Sequence, residues 1–275
     1  MIVWAATVAV AVEPHIDADP YVPTVDVGPF AAVDTVAPVS TVVAAQSSWA
    51  VAPLRAIDTD GRIQPVIRQA WAWHFGARHT VGPVRLGLSA PVYPVRVGSE
   101  APRVLAVVGD PQLEAVAAWE IGDFRVGGRA RLGASLGATT RQLGYPGAFG
   151  DLGVIGVWTG PVVVAANLGV RITPTLSLVD AEHDDAFWFD VGVAVPLVLR
   201  WTLAVEASGS LARRGLTLDT APVELLANAR YRASDTLAVL FGAGRGVSPG
   251  VGAPALRVVA GLRFVVAGQG DRVRP

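Results

Sequence analysis

From about residue 40 to residue 266 the chain places an apolar side chain at every second position, over and over, in segments broken by Gly, Pro and Asp. A period of two is the signature of a strand, because successive side chains point to opposite faces. In 257–266, "RVVAGLRFVV", Val258, Ala260, Leu262, Phe264 and Val266 share one face, while Arg257, Val259, Gly261 and Arg263 share the other. The same split recurs in 124–136, 162–172, 201–211 and 223–232. Each segment runs to about ten residues or more, whereas strands of soluble proteins are commonly nearer five or six. About ten residues is the length a tilted strand needs to cross a bilayer.

About twelve such segments can be marked, and the connections between them alternate in length. Those at 77–81, 121–124, 158–161, 198–201 and 233–236 are tight, and those at 52–64, 93–111, 138–150, 174–184, 213–221 and 247–253 are long. The pattern predicts an all-β fold, an up-and-down antiparallel transmembrane β-barrel over 40–266, with tight turns and both termini on the periplasmic side. Trp73, Phe75, Trp119, Phe124, Trp158, Trp201, Tyr231 and Phe264 fall beside tight turns or the C-terminus, as an aromatic girdle at one membrane interface would.

Composition agrees with an apolar solvent around much of the chain. Hydrophobic residues make up 52% against 16% charged, and mean hydropathy is +0.45. No apolar run approaches the roughly 18 residues of a spanning helix. Net charge is -1, which gives nucleic acid no electrostatic footing. Cysteine is absent, so disulfides and thiolate metal sites are excluded, and every side-chain cation other than histidine is arginine. Residues 1–12, "MIVWAATVAVAV", carry an apolar stretch and an Ala9-x-Ala11 pair but no positive n-region, and read either as a short or truncated export signal or as a first strand or unstructured end. Residues 13–39 alternate Pro and Asp with single apolar residues and read as a loosely ordered periplasmic leader; 267–275 read as a tail.

Three segments carry a family resemblance. "GAGRGVSPGVGAPALRVVAGLRF" (242–264) resembles the last hairpin of outer-membrane barrels of myxobacteria and related Gram-negative bacteria, many fused to a peptidoglycan-binding domain of the outer-membrane protein A type. "VRLGLSAPVY" (84–93) and "GDPQLEAVAAWEIG" (109–122) are similar to earlier strands of the same barrels. The resemblance implies an outer-membrane barrel, in some members a transporter of small or hydrophobic compounds, and supplies no catalytic residues. The sequence departs from the fused members in ending at Pro275, so peptidoglycan anchoring is not carried over from the resemblance.

On this reading the lumen face carries Arg68, His74, Arg85, Glu114, Glu120, Arg125, Arg129, Arg131, Arg171, Asp190, Glu206, Glu224, Arg230, Arg232, Arg257 and Arg263. Arginines outnumber carboxylates, so a water path through the barrel would favour anions. A turn centred on Gly122 and Asp123 sets Glu120 opposite Arg125, Glu114 opposite Arg131 and Val116 opposite Arg129. "DTDGR" (58–62) lacks the later ligands of a calcium loop and reads as a polar turn, and "EHDD" (182–185) reads as a solvated loop. None of His15, His74, His79 and His183 acquires a serine and an acidic partner by spacing, so no catalytic, metal or cofactor site is expected.

The expected function is an outer-membrane β-barrel of a Gram-negative bacterium, a narrow channel or passive transporter with an arginine-rich lumen. Its partners would be outer-membrane lipid, the barrel assembly machinery during insertion, and small anionic or hydrophobic solutes. The alternatives are a structural or loop-displaying barrel with a salt-bridged, plugged lumen, and a soluble β-sandwich binding protein.

Overall fold

The computed structural model describes residue 30 and residues 41–57, 63–98, 104–134, 147–174, 176–178, 181–183, 185–213, 221–248 and 253–266. Strands are β1 (Thr41–Ile57), β2 (Ile63–Val81), β3 (Val84–Gly98), β4 (Val104–Val108), β5 (Gln112–Ile121), β6 (Phe124–Gly133), β7 (Phe149–Thr159) and β8 (Val163–Ile172). They continue as β9 (Leu176–Leu178), β10 (Ala181–His183), β11 (Ala186–Pro196), β12 (Trp201–Ala212), β13 (Val223–Arg232), β14 (Leu237–Gly246) and β15 (Leu256–Val266).

Twelve of these form one closed antiparallel ring. Each strand pairs with its neighbour in the order β1, β2, β3, β5, β6, β7, β8, β11, β12, β13, β14, β15, and β15 returns to β1. A single closed sheet leaves no second sheet to pack against, so the sandwich reading falls. β4 extends the wall that β5 makes along β3, with a one-residue change of register across Gly109–Pro111. β9 and β10 form a separate small hairpin in the connection between β8 and β11.

The alternation of connections is also present. Gly82–Pro83 and Gly122–Asp123 close two-residue turns with φ of 58° and 61° at the glycines. Positive φ at the first central residue is the II′ arrangement, which matches strand twist and favours Gly at that place. The connection between β11 and β12 takes another route: Leu199 and Arg200 both have positive φ (59° and 70°), and Trp201 N donates to Val198 O at 3.4 Å. This is the type I′ pattern built without glycine or asparagine, so it stores backbone strain.

β1, β2 and β3 have 17, 19 and 15 residues, against 10 to 12 in the other nine barrel strands. Two sequence boundaries therefore move. The tight connection expected at 77–81 lies at Gly82–Pro83, and most of the expected long connection 52–64 is strand. Trp73 and Phe75 consequently face outward well up β2, away from the turn, with Trp71 edge-to-face against Trp73 at 5.9 Å. The remaining expected girdle residues do lie at strand ends near the turns or the C-terminus, Trp201 packing on Tyr231 at 4.8 Å.

The two faces are inverted relative to a water-soluble protein. Leu132, on the outside of β6, is 66% exposed, while Arg257, on the inside of β15, is 0% exposed. Soluble chains rarely expose an apolar surface that is continuous around the molecule. Leu199→Asn should relieve part of the left-handed strain at the 198–201 turn and stabilise the protein by about 0.5–1 kcal/mol. A urea unfolding midpoint that stays fixed or falls would contradict that account of the turn.

Candidate functional site: the barrel lumen

Within the ring, register places side chains in rows. Arg131 faces Asp151, and Asp151 faces Arg171 on the next strand. Asp151, 1% exposed, accepts from Arg171 Nε at 2.7 Å and from Arg171 Nη2 at 3.1 Å, and Arg131 Nε lies 3.6 Å away. Arg131 also donates to Gln112 Oε1 at 3.1 Å. One carboxylate thus sits between two guanidiniums, which a buried charge needs if it is to remain ionised at tolerable cost.

The neighbouring row runs Arg129, Gly153, Gly169, Trp188 over β6, β7, β8 and β11. The two glycines form a floor for the indole: a methyl group at Gly153 would lie 2.5 Å from Trp188 Cζ2, and one at Gly169 would clash as well. Lying flat across them, the ring reaches Arg129, whose guanidinium carbon stands 4.1 Å from its centroid. On the other wall, Arg257 Nε donates to Glu224 Oε1 at 2.6 Å, and Asn228 Nδ2 donates to Glu206 Oε1. Leu226, Leu240 and Val259 form a small apolar cluster on the same side.

The hairpin register read from "IGDF" is the one observed: Glu120 faces Arg125, Val116 faces Arg129 and Glu114 faces Arg131. The pairing of charges follows it only in part. Glu120 and Arg125 form an ion pair at 2.7 Å, open to solvent at the turn end. Glu114 instead pairs with Arg85 of β3 at 3.1 Å, across the space that Gly87 leaves opposite it. Arg131 turns the other way, to Asp151.

Arg85, Arg129, Arg131, Glu206, Glu224, Arg257 and Arg263 are buried on the inward face, with His74 on β2. Glu114, Arg125, Arg171, Asp190 and Arg230 are half-buried on that face, and Glu120 and Arg232 are exposed at its turn end. Arg68 is different. A bulge between Ile67 and Gln69 shifts the parity, so Ile67 is buried and Arg68 is exposed; Arg68 is not one of the packed lumen residues. Sequence reasoning missed Arg78, Asp151 and Gln46, all buried and inward, while Asn167 and Asn228, also buried, fall on the inward parity of their segments. Their signal was parity itself, which marks uncharged residues as well as charged ones.

Phe30 is a further surprise. The expected export signal 1–12 and tail 267–275, and the "DTDGR" turn, lie outside the described residues. Within 13–39, Phe30 is described, and it stands inside the barrel at 0% exposure instead of in a leader below it. It clusters with Val116, Ile155, Val157, Ala165, Ala194 and Ala204, and its carbonyl accepts from Arg263 Nη2 at 2.6 Å. Of "EHDD", Asp185 accepts from Thr173 N at 3.2 Å and pairs with Arg213 at 3.3 Å, a loop-fixing role.

Fold and lumen together define a closed β-barrel of the outer-membrane type. No protein-family model and no curated relative matches the sequence. Among solved structures, the chain is similar to an outer-membrane channel of Pseudomonas putida F1, at 13% identity over 88% of this chain and 100% of that one, with a TM-score of 0.65. It is also similar to the NanC porin, at 10% identity over 82% of this chain and 100% of that one, with a TM-score of 0.57. These similarities are to outer-membrane barrels at large, and at such identities they concern the fold. The narrower likeness to the myxobacterial barrels rests on the three sequence segments.

Asp151→Asn removes a buried charge between one buried and one half-buried arginine and is expected to cost about 3–5 kcal/mol, whereas Glu120→Gln at the exposed turn should stay within about 1 kcal/mol. Both are read by urea unfolding. A double-mutant cycle is expected to couple Glu114 to Arg85 by more than about 0.5 kcal/mol and Glu114 to Arg131 by nearly nothing. The reverse ranking would mean that the lumen pairs as the isolated hairpin would.

Proposed function

We propose that the protein resides in the outer membrane of a Gram-negative bacterium and acts as a narrow channel or passive transporter for small anionic or hydrophobic solutes. The observation that carries this reading is the inversion of faces in a closed ring: leucine, valine and aromatic rings outside, arginine and carboxylate inside. Outer-membrane lipid would cover the apolar exterior, and the barrel assembly machinery would insert it. In this orientation the tight turns and both strand-bearing ends of the barrel are periplasmic and the long connections face outward. The narrower kinship with myxobacterial envelope barrels is part of the same proposal.

Arginines exceed carboxylates among the described inward residues even with Asp151 included, which supports an anion preference. A second reading has its own support. The ion pairs Arg171–Asp151, Arg85–Glu114 and Arg257–Glu224 fill space and cancel charge, as a structural barrel with a plugged lumen would require. The purified protein in planar bilayers is expected to show small, anion-preferring conductance. A barrel that inserts, migrates compactly on gels until boiled and stays silent would support the structural reading instead.

Lipid contact has its own check. Leu203→Arg, on the outward face of β12, should cost about 2–4 kcal/mol if that position lies near mid-membrane. Equal folding yields of this variant and wild type in vesicles would mean that the outward face does not meet lipid.

A further inference from the structure

The lower half of the lumen holds an aromatic ring in a bay made for one. Phe30 lies against Gly192, where a methyl group would come within 2.6 Å of its Cε1. Ala165, Ala194 and Ala204 surround it with the smallest apolar side chains, and Ile155 and Val157 close the wall. From β15, Arg263 reaches the Phe30 carbonyl oxygen at 2.6 Å. Larger residues at Gly192 and the alanines would fill this space from the strands themselves. The barrel instead leaves an opening that an element outside the twelve strands occupies.

We propose that this bay is a solute site for aryl-alkanoate anions, and that Phe30 occupies it as the chain's own stand-in. The proposal rests on the lumen being a solute path. The chemistry follows from what Phe30 presents. Its ring, Cβ, Cα and carbonyl carbon are the skeleton of hydrocinnamate, with the carbonyl oxygen where a carboxylate oxygen would lie. A carboxylate adds a negative charge and a second oxygen to the contact with Arg263, and arginine binds such a group more strongly than it binds a neutral carbonyl. The apolar bay takes the ring, and the cation fixes its orientation, the usual division of labour in a small-molecule site. A bare anion lacks the ring and a hydrocarbon lacks the charge, so each satisfies half of the site.

The test is calorimetric titration of the full chain in detergent with hydrocinnamate and, separately, propanoate. In wild type the solute must displace Phe30, so Phe30→Ala is expected to bind hydrocinnamate at least about tenfold more tightly. Adding Arg263→Gln to that variant is expected to weaken binding by about tenfold. Propanoate should bind neither form measurably at the same concentrations. A Phe30→Ala barrel that keeps its compact gel migration and binds no hydrocinnamate, or binds propanoate equally well, overturns the proposal. If Phe30→Ala does not fold, the wild-type chain decides: a hydrocinnamate preference over propanoate that Gly192→Val abolishes supports the site, and no preference overturns it. Titration does not depend on conductance. A barrel that binds hydrocinnamate but is silent in bilayers keeps the site and loses the channel, and a conducting barrel that fails to bind does the reverse.

Discussion

Everything in this molecule depends on the pairing of its last strand with its first. β15 meets β1 in an unbroken antiparallel register from Thr41 opposite Val266 to Val51 opposite Leu256. Without that pairing the sheet would have two open edges, each a row of unsatisfied backbone groups, which neither water-free surroundings nor a soluble sheet tolerates well. With it, backbone polar groups are satisfied around the ring, and side-chain parity acquires a global meaning. An even position on β15 faces out, as does an odd position on β1, because the register links the two. One-residue slippage would carry Arg257 and Arg263 to the apolar exterior and Leu262 into the charged interior, so the register is held by the cost of both errors.

Closure also gives each strand two neighbours, and this determines the electrostatics. Glu114 and Arg131 face each other in their hairpin, yet each is drawn to the strand on its far side, to Arg85 and Asp151. A buried carboxylate gains most where several donors converge, and Asp151 has two guanidiniums in its row. Glycines decide which side chains can lean. Gly153 with Gly169 lets Trp188 lie across two strands to Arg129. These inward glycines act as channels for lateral contact between side chains several strands apart.

The architecture was legible in the sequence because period-two alternation, the alternation of short and long connections and the Gly122–Asp123 register are all local. The outward facing of the eight aromatics expected to form a girdle was legible by parity, but the height of Trp73 and Phe75 was not, since β2 runs on to Val81 through residues that keep alternating. Arg68 was misplaced because a bulge reverses parity without leaving a compositional mark, Arg68 being flanked by Ile67 and Gln69. The partners of Glu114 were not legible from one hairpin, for the second neighbour is supplied by closure. Phe30 was beyond reach in a different way: nothing in "VGPFAAV" distinguishes a ring bound in a lumen from one in a loose leader, and its pocket is built from residues far along the chain, from Val116 to Ala204.

The lumen changes character along its axis, and the change follows from which residues share each row. Toward the long connections the rows hold Arg131, Asp151 and Arg171, with Arg257 and Glu224 on the opposite wall, so charge meets charge and the interior is polar but compensated. Toward the tight turns, Val157, Ala165 and Gly192, and then Val163, Ala194 and Ala204, make a small apolar stretch of wall that is bounded in its first row by Arg125 and Glu206, and Arg263 reaches the Phe30 carbonyl beside it. On the proposed path, a hydrated inorganic ion would give up water at the second zone and gain little from its apolar wall. A solute with one anionic end and an apolar body would meet guanidiniums in the first zone, and in the second would set its body against the small apolar wall and its charge against Arg263. The order of the rows, more than the total of arginines, is what would set the selectivity of the proposed path.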